Sequence, residues 1–138
     1  MTDVDEPMMQ IGELAERAEM SLRTIRHYDE VGLLAPTGRT EGGFRLYTNA
    51  DFLRLMVIRR MKPLGFSLDE MAELLRVVAD LEAATADDSR GGAGQSADQV
   101  AEIRARLDAF IEQTVERRAR LERQLAMADE FLELLRSR

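Results

Sequence analysis

Ser21, Arg23, Thr24, Arg26, His27 and Tyr28 gather two guanidiniums, two aliphatic hydroxyls, an imidazole and a phenol into one short stretch. Arg39, Arg45 and Tyr47 form a second group, and Arg54, Arg59, Arg60 and Lys62 a third. An arginine can read guanine through two parallel hydrogen bonds, and hydroxyls bond to phosphate oxygens or base edges. Together these groups suit the recognition of nucleic acid. Catalytic chemistry is poorly supplied. There is no cysteine and one histidine. That excludes disulfides, thiolate and multi-histidine metal sites, iron–sulfur clusters and a cysteine nucleophile. No nucleophile–base pair, paired-carboxylate site or phosphate loop is visible. The reading is therefore of a protein that is not an enzyme, with no catalytic residue, metal or cofactor.

The net charge of −7 looks wrong for a partner of DNA until its distribution is read. Ser21 to Lys62 carry eight Arg or Lys against four acids, whereas Phe66 to the end carry ten arginines against sixteen acids. Charges separated by more than about 8–10 Å are screened at physiological salt, so the local excess decides what the surface attracts. No apolar run approaches the roughly 20 residues that span a bilayer. Residues 1–7 are polar and expected to be a disordered arm, and Met1 to Met9 are acidic and lack the basic and apolar regions of a secretion signal. The expectation is a cytoplasmic protein at the bacterial nucleoid, without a membrane partner.

The elements that must position these groups can be read from periodicity. Ile11, Leu14, Ala15 and Ala18 recur at helical spacing; after a break at Glu19-Met20, Ser21 is a good N-cap for a helix carrying Leu22, Ile25 and Tyr28. Two short helices so close together suggest a helix-turn-helix, the second ending near Gly32. Met8-Met9-Gln10 is a candidate strand. The runs 33–36 and 44–47, with Gly42-Gly43 between them, predict a β-hairpin over Leu34–Tyr47. Thr48-Asn49-Ala50-Asp51 opens a helix through Met61, and Ser67 with Glu70 makes a capping box for another through Leu81.

Residues 82–96 are polar and Gly-rich at their end and are expected to be a flexible linker. A last helix is expected over 97–138. Val100, Leu107, Leu121 and Leu135 fall seven or fourteen apart; Ile103, Phe110 and Phe131 interleave; Ile111, Leu125 and Leu132 widen the seam. Such a stripe on a helix with little local core implies a helical partner, and the polar Thr114, Arg117 and Gln124 in its middle suit an antiparallel homodimer stem better than a tight parallel zipper.

Five stretches, in order, resemble the MerR family of transcription regulators: 11–15 (IGELA), 21–29 (SLRTIRHYD), 32–36 (GLLAP), 39–47 (RTEGGFRLY) and 64–70 (LGFSLDE). The resemblance covers the first 81 residues. The long last helix matches only in kind. It implies a mainly α fold: a winged helix-turn-helix DNA-binding domain over 8–81 with a small β-hairpin wing, a second wing made by the helix pair after it, and a C-terminal dimerisation helix forming an antiparallel coiled coil. It also implies a homodimer that binds inverted-repeat promoter DNA and distorts it so that RNA polymerase can engage. Ser21, Arg23, Thr24 and Arg26 then stand where a recognition helix meets bases, with Arg39, Arg45 and Tyr47 on the wing and Arg54 and Arg60 on the second wing placed for phosphates.

Blander readings stand beside these. His27 is open between DNA contact and packing. Tyr28 is favoured as core, with its hydroxyl on a phosphate. The cations at 54, 59, 60 and 62 are open between backbone contact and a solvated face. The methionines read as core filler, and the acids of the last helix as its wetted side. Metal and redox sensors of this family carry cysteines, so sensing by thiolate chemistry is excluded here; any small-molecule effector is unknown. The alternative function is an architectural, excisionase-like DNA binder, against which the long dimer helix argues.

Overall fold

The computed structural model describes residues 7–89 and 97–138. In chain order the elements are β1 (Met9–Gln10), α1 (Ile11–Ala18), α2 (Leu22–Glu30), β2 (Gly38–Arg39), β3 (Arg45–Tyr47), α3 (Asn49–Met61), a 3-10 turn (Lys62–Leu64), α4 (Leu68–Ser89) and α5 (Ala97–Arg136). Two compact units divide between Ala72 and Glu73, inside α4. No helix among the described residues is long and apolar enough to cross a membrane.

The first unit begins with the two helices. Leu14 and Ala18 on α1 and Ile25 and Tyr28 on α2 are buried, as their spacing requires. Between them, Glu19 takes a left-handed backbone (φ 55°) while Met20 N–H bonds to Ala15 O and Glu19 N–H to Glu16 O. This closes the last carbonyls of α1 in a Schellman turn, at a conformational cost of about 1–2 kcal/mol for a residue with a Cβ. The same motif ends α2, where Gly32 takes φ 78° without that cost. Each following helix is capped by its own sequence. Thr48 and Asp51 exchange side-chain and backbone bonds at α3, and Ser67 and Glu70 do so at α4.

A three-stranded antiparallel sheet, ordered β1-β3-β2, lies beside the helices. Met9 pairs with Tyr47, and Arg39 with Arg45. The strand opposite β3 is thus Gly38–Arg39, which corrects the expectation that 33–36 would supply it. The N–H groups of Leu33 and Leu34 both turn back to Tyr28 O, closing α2, and the Leu34 side chain is buried instead of edging a sheet. Leu55, Ile58 and Met61 of α3, with Phe66 and Met71, complete the core. Each such side chain contributes about 1.5–3 kcal/mol on full burial.

The second unit contains the rest of α4 and all of α5. The expected linker over 82–96 is corrected at its start: residues 82–89 continue α4, as their good helix formers (Glu82, Ala83, Ala84) allow, and Ala84 is fully buried. The remainder of that linker, 90–96, lies outside the described residues, as does most of the expected 1–7 arm. Arg106 of α5 binds Glu73 at 2.7 Å and Asp80 at 3.8 Å, one helical face of α4. Val77 of α4 is buried, and Val100, Ile103, Leu107 and Phe110 of α5 are half-buried.

Candidate nucleic-acid interface

The geometry of α2 follows from its two anchors. Ile25 and Tyr28 fix one side of the helix in the core, so Arg23, Arg26 and His27 fall on the exposed side, with Thr24 at the margin. Ser21 is a structural cap before it is anything else. Its Oγ accepts from Thr24 N–H at 3.1 Å and lies 2.8 Å from the Thr24 hydroxyl. The two hydroxyls hold each other at the helix start, beside Arg23.

The hairpin is tied to α2 by one carboxylate. Arg45 Nε donates to Asp29 Oδ2 at 2.7 Å, and Arg39 Nη2 lies 3.5 Å from the same oxygen. The Asp29 hydrogen bond raises the Arg45 pKa above its ordinary value. Arg39 also donates to Gly43 O at 3.0 Å, and Thr40 and Phe44 exchange hydrogen bonds across the tip. This hydrogen-bonded tip carries Phe44 at 66% exposure. Phe44 is not among the residues expected to meet DNA; its sequence signal is an apolar side chain directly after the paired glycines Gly42 and Gly43.

Tyr47 is a correction. It was expected to grip phosphate, yet it is fully buried, and its hydroxyl finds no hydrogen-bond partner among the described residues. Arg45 and Tyr47 are two apart on β3 and therefore share a face, and that face turns toward the helices. Burial pushes both Tyr47 and Tyr28 above the usual phenol pKa.

The second-wing cations separate. Arg54 donates to Asp51 Oδ1 at 3.0 Å, where it offsets a carboxylate that is 3% exposed and also bound by Thr37 Oγ1 and Thr48 N–H. Arg60 donates to Met56 O on its own helix, and Arg59 pairs with Glu19 at 3.6 Å. Lys62 instead lines a cleft of about 510 Å³ within the first unit, together with Arg23, Thr24 and His27 of α2 and Ser67 at the cap of α4. Tyr28, Phe66 and Met71 give the cleft an apolar floor. Cations from two elements together with an apolar floor suit a sugar–phosphate strand, whose charge and deoxyribose need both surfaces.

On α5 the predicted seam divides in two. Val100, Ile103, Leu107 and Phe110 are half-buried, in the stretch where Arg106 binds α4. Ile111, Leu121, Leu125, Phe131, Leu132 and Leu135 are exposed.

Two family profiles match this chain, overlapping over residues 52–77. The profile described as MerR HTH family regulatory protein matches residues 9–77, and that described as MerR, DNA binding matches 52–137. The chain is 48% identical over 84 residues to the HTH-type transcriptional regulator ZntR of Escherichia coli K12, covering 61% of this chain and 60% of that protein. It is 44% identical over 77 residues to the mercuric resistance operon regulatory protein of Bacillus cereus, covering 56% and 58%. The matched region thus spans about three-fifths of these curated relatives. Among solved structures, the fold is similar to HiNmlR, a MerR family regulator lacking the sensor domain, bound to promoter DNA (TM-score 0.67, 23% identity, 95% of this chain and 92% of that one). A MerR family transcriptional regulator from Bacillus cereus is similar at TM-score 0.58 and 27% identity, covering 94% and 75%.

Proposed function

This chain belongs to the MerR family of helix-turn-helix regulatory proteins, and we propose on that footing that it regulates transcription by binding an inverted-repeat promoter as a homodimer. The observation that carries the proposal is the pairing of an outward Arg23, Arg26 and His27 on a core-anchored α2 with a wing bonded to the same helix through Asp29. Recognition helices place their N-terminal residues at base edges in the major groove. Arg23 and Arg26 then read bases, Thr24 and Ser21 support them, and His27 and Lys62 meet the backbone across the cleft. Arg39 and Arg45 hold the flanking phosphates. Tyr28 contributes chiefly its ring, as part of the cleft floor.

The homodimer half of the proposal rests on α5. Its exposed distal stripe, Leu121 to Leu135, is the apolar surface that a second copy of the same helix would cover, in an isologous contact of the kind two-fold symmetry produces. A dimer holding two recognition helices binds half-sites on one DNA face. If it untwists the DNA between them, the deformation costs about 1–6 kcal/mol, which phosphate contacts must offset. RNA polymerase at the distorted promoter is the further partner this scheme requires, and the bacterial cytoplasm its place. The role is regulatory and not enzymatic.

A salt titration of binding to duplex DNA tests the electrostatic basis of the proposal. Each phosphate neutralised lowers log K by about 0.9 per decade of salt. A steep negative slope despite the −7 net charge is expected; no measurable affinity at low salt would contradict the proposal.

A further inference from the structure

Asp29 stands in the last turn of α2, where a negative charge opposes the helix dipole. It also places an acid inside the basic surface assigned to DNA, where it repels phosphate. Neither the helix nor the DNA affinity gains from its charge directly. What it gains is geometric. Its side chain is 15% exposed, and its Oδ2 takes both Arg45 Nε at 2.7 Å and Arg39 Nη2 at 3.5 Å. These arginines occupy directly paired positions on β3 and β2. One carboxylate therefore joins the recognition helix to both strands of the wing. The Arg45 contact is made through the inner nitrogen of the guanidinium, so the group is oriented without being enclosed, and a quarter of its side-chain surface stays open.

We infer that Asp29 is a positioning residue, fixing the wing to the recognition helix so that base contacts from α2 and phosphate contacts from the hairpin fall in one register. The inference rests on the proposed reading of promoter DNA and adds to it the residue that converts two binding elements into one. Without the clamp the wing arginines still attract DNA, but at no fixed distance from the bases. Specific binding then weakens while general attraction persists or grows, because a negative charge has gone.

The test uses the full chain with Asp29→Ala and Asp29→Ser, two truncations so that one folding failure does not decide the matter. Asp29→Asn keeps an acceptor for Arg45. Affinities are measured for the duplex best enriched from a random pool and for an unrelated duplex of equal length, alongside thermal unfolding. The truncations are expected to lower the specific-to-unrelated ratio about tenfold, with affinity for the unrelated duplex held or raised. Asp29→Asn is expected to recover most of the ratio. Affinities that rise together, leaving the ratio unchanged, would mean that Asp29 acts only as a charge. Affinities that fall together in step with the melting temperature, with Asn no better than Ala, would mean that it acts only as a structural residue. Either overturns the inference. A wild-type chain that does not discriminate between the duplexes would overturn the DNA-reading proposal itself.

Discussion

Arg54 reaches one turn back along α3 to the buried carboxylate of Asp51, Nη1 to Oδ1 at 3.0 Å. The contact gives a surface arginine an inward task. Asp51 also receives Thr37 Oγ1 and Thr48 N–H, so it is a junction between the cap of α3 and the start of the wing. Arg54 itself is half exposed, and solvent screens its share. Arg54→Ala is expected to lower stability by about 1 kcal/mol and leave the salt dependence of DNA binding unchanged. Lys62→Ala is expected to do the reverse: no measurable change in unfolding, and a salt slope flatter by about one contact. Chemical denaturation and salt-titrated binding on the same pair of variants check both. Equal slopes for the two variants would place Arg54 and Lys62 alike on DNA, or alike off it.

Tyr47 carries a buried hydroxyl without a bonding partner among the described residues. An unsatisfied buried donor costs about 1–3 kcal/mol. Tyr47→Phe is therefore expected to hold or raise stability, by up to about 1 kcal/mol, and to leave DNA affinity as it is. A clear loss of affinity would mean that the phenol reaches DNA after all.

The two tyrosines also predict an alkaline limit. The chain has Tyr28, Tyr47 and no tryptophan, so tyrosinate absorbance reports only these two groups. Both pKa values are raised by burial, which means the folded state holds its phenolic protons where the unfolded chain has begun to lose them. Their contribution is fully present below the ordinary phenol value near 10 and is lost as pH rises through the raised folded values. Stability should fall above about pH 10, with tyrosinate appearing together with loss of helix. Ionisation of both tyrosines in a fully helical chain would contradict their burial.

The stem of α5 predicts different failures at its two ends. Leu125→Asp and Leu132→Asp, on the exposed distal stripe, are expected to give folded monomers with weaker DNA binding. Leu107→Asp puts a charge on a half-buried position next to Arg106, which binds α4, and is expected to destabilise the chain itself, by about 2–3 kcal/mol. Sedimentation and thermal unfolding at several concentrations separate these outcomes. A dimer that survives both distal substitutions would mean that the stripe is covered by something else.

The two short helices were legible because Leu14, Ala18, Ile25 and Tyr28 all lie on stripes of period 3.6, and because Ser21, Thr48 and Ser67 each carry a capping side chain. The wing was less so. A hairpin read from extended runs gives no weight to a backbone already committed to closing α2, as Leu33 and Leu34 are. Tyr47 beside Arg45 reads as an outward grip, whereas the two-residue period of β3 puts both on the face toward the helices, where Tyr47 is buried and Arg45 keeps a quarter of its side chain open. Asp29 entered the charge count only as a subtraction; its role depends on Arg39 and Arg45 arriving from a distant part of the chain. The last helix was legible as a stripe, but not which part of it is half-buried within the chain, since a heptad pattern names no partner.

A dimer of this chain that reads an inverted repeat must select one from a random duplex pool at near-physiological salt. Sequencing of the bound pool is expected to show two enriched half-sites in inverted orientation, with Arg23→Ala relaxing the preference at one base pair of each by about 1–3 kcal/mol. Measurable binding with no enriched sequence would contradict it and leave an architectural DNA binder in its place.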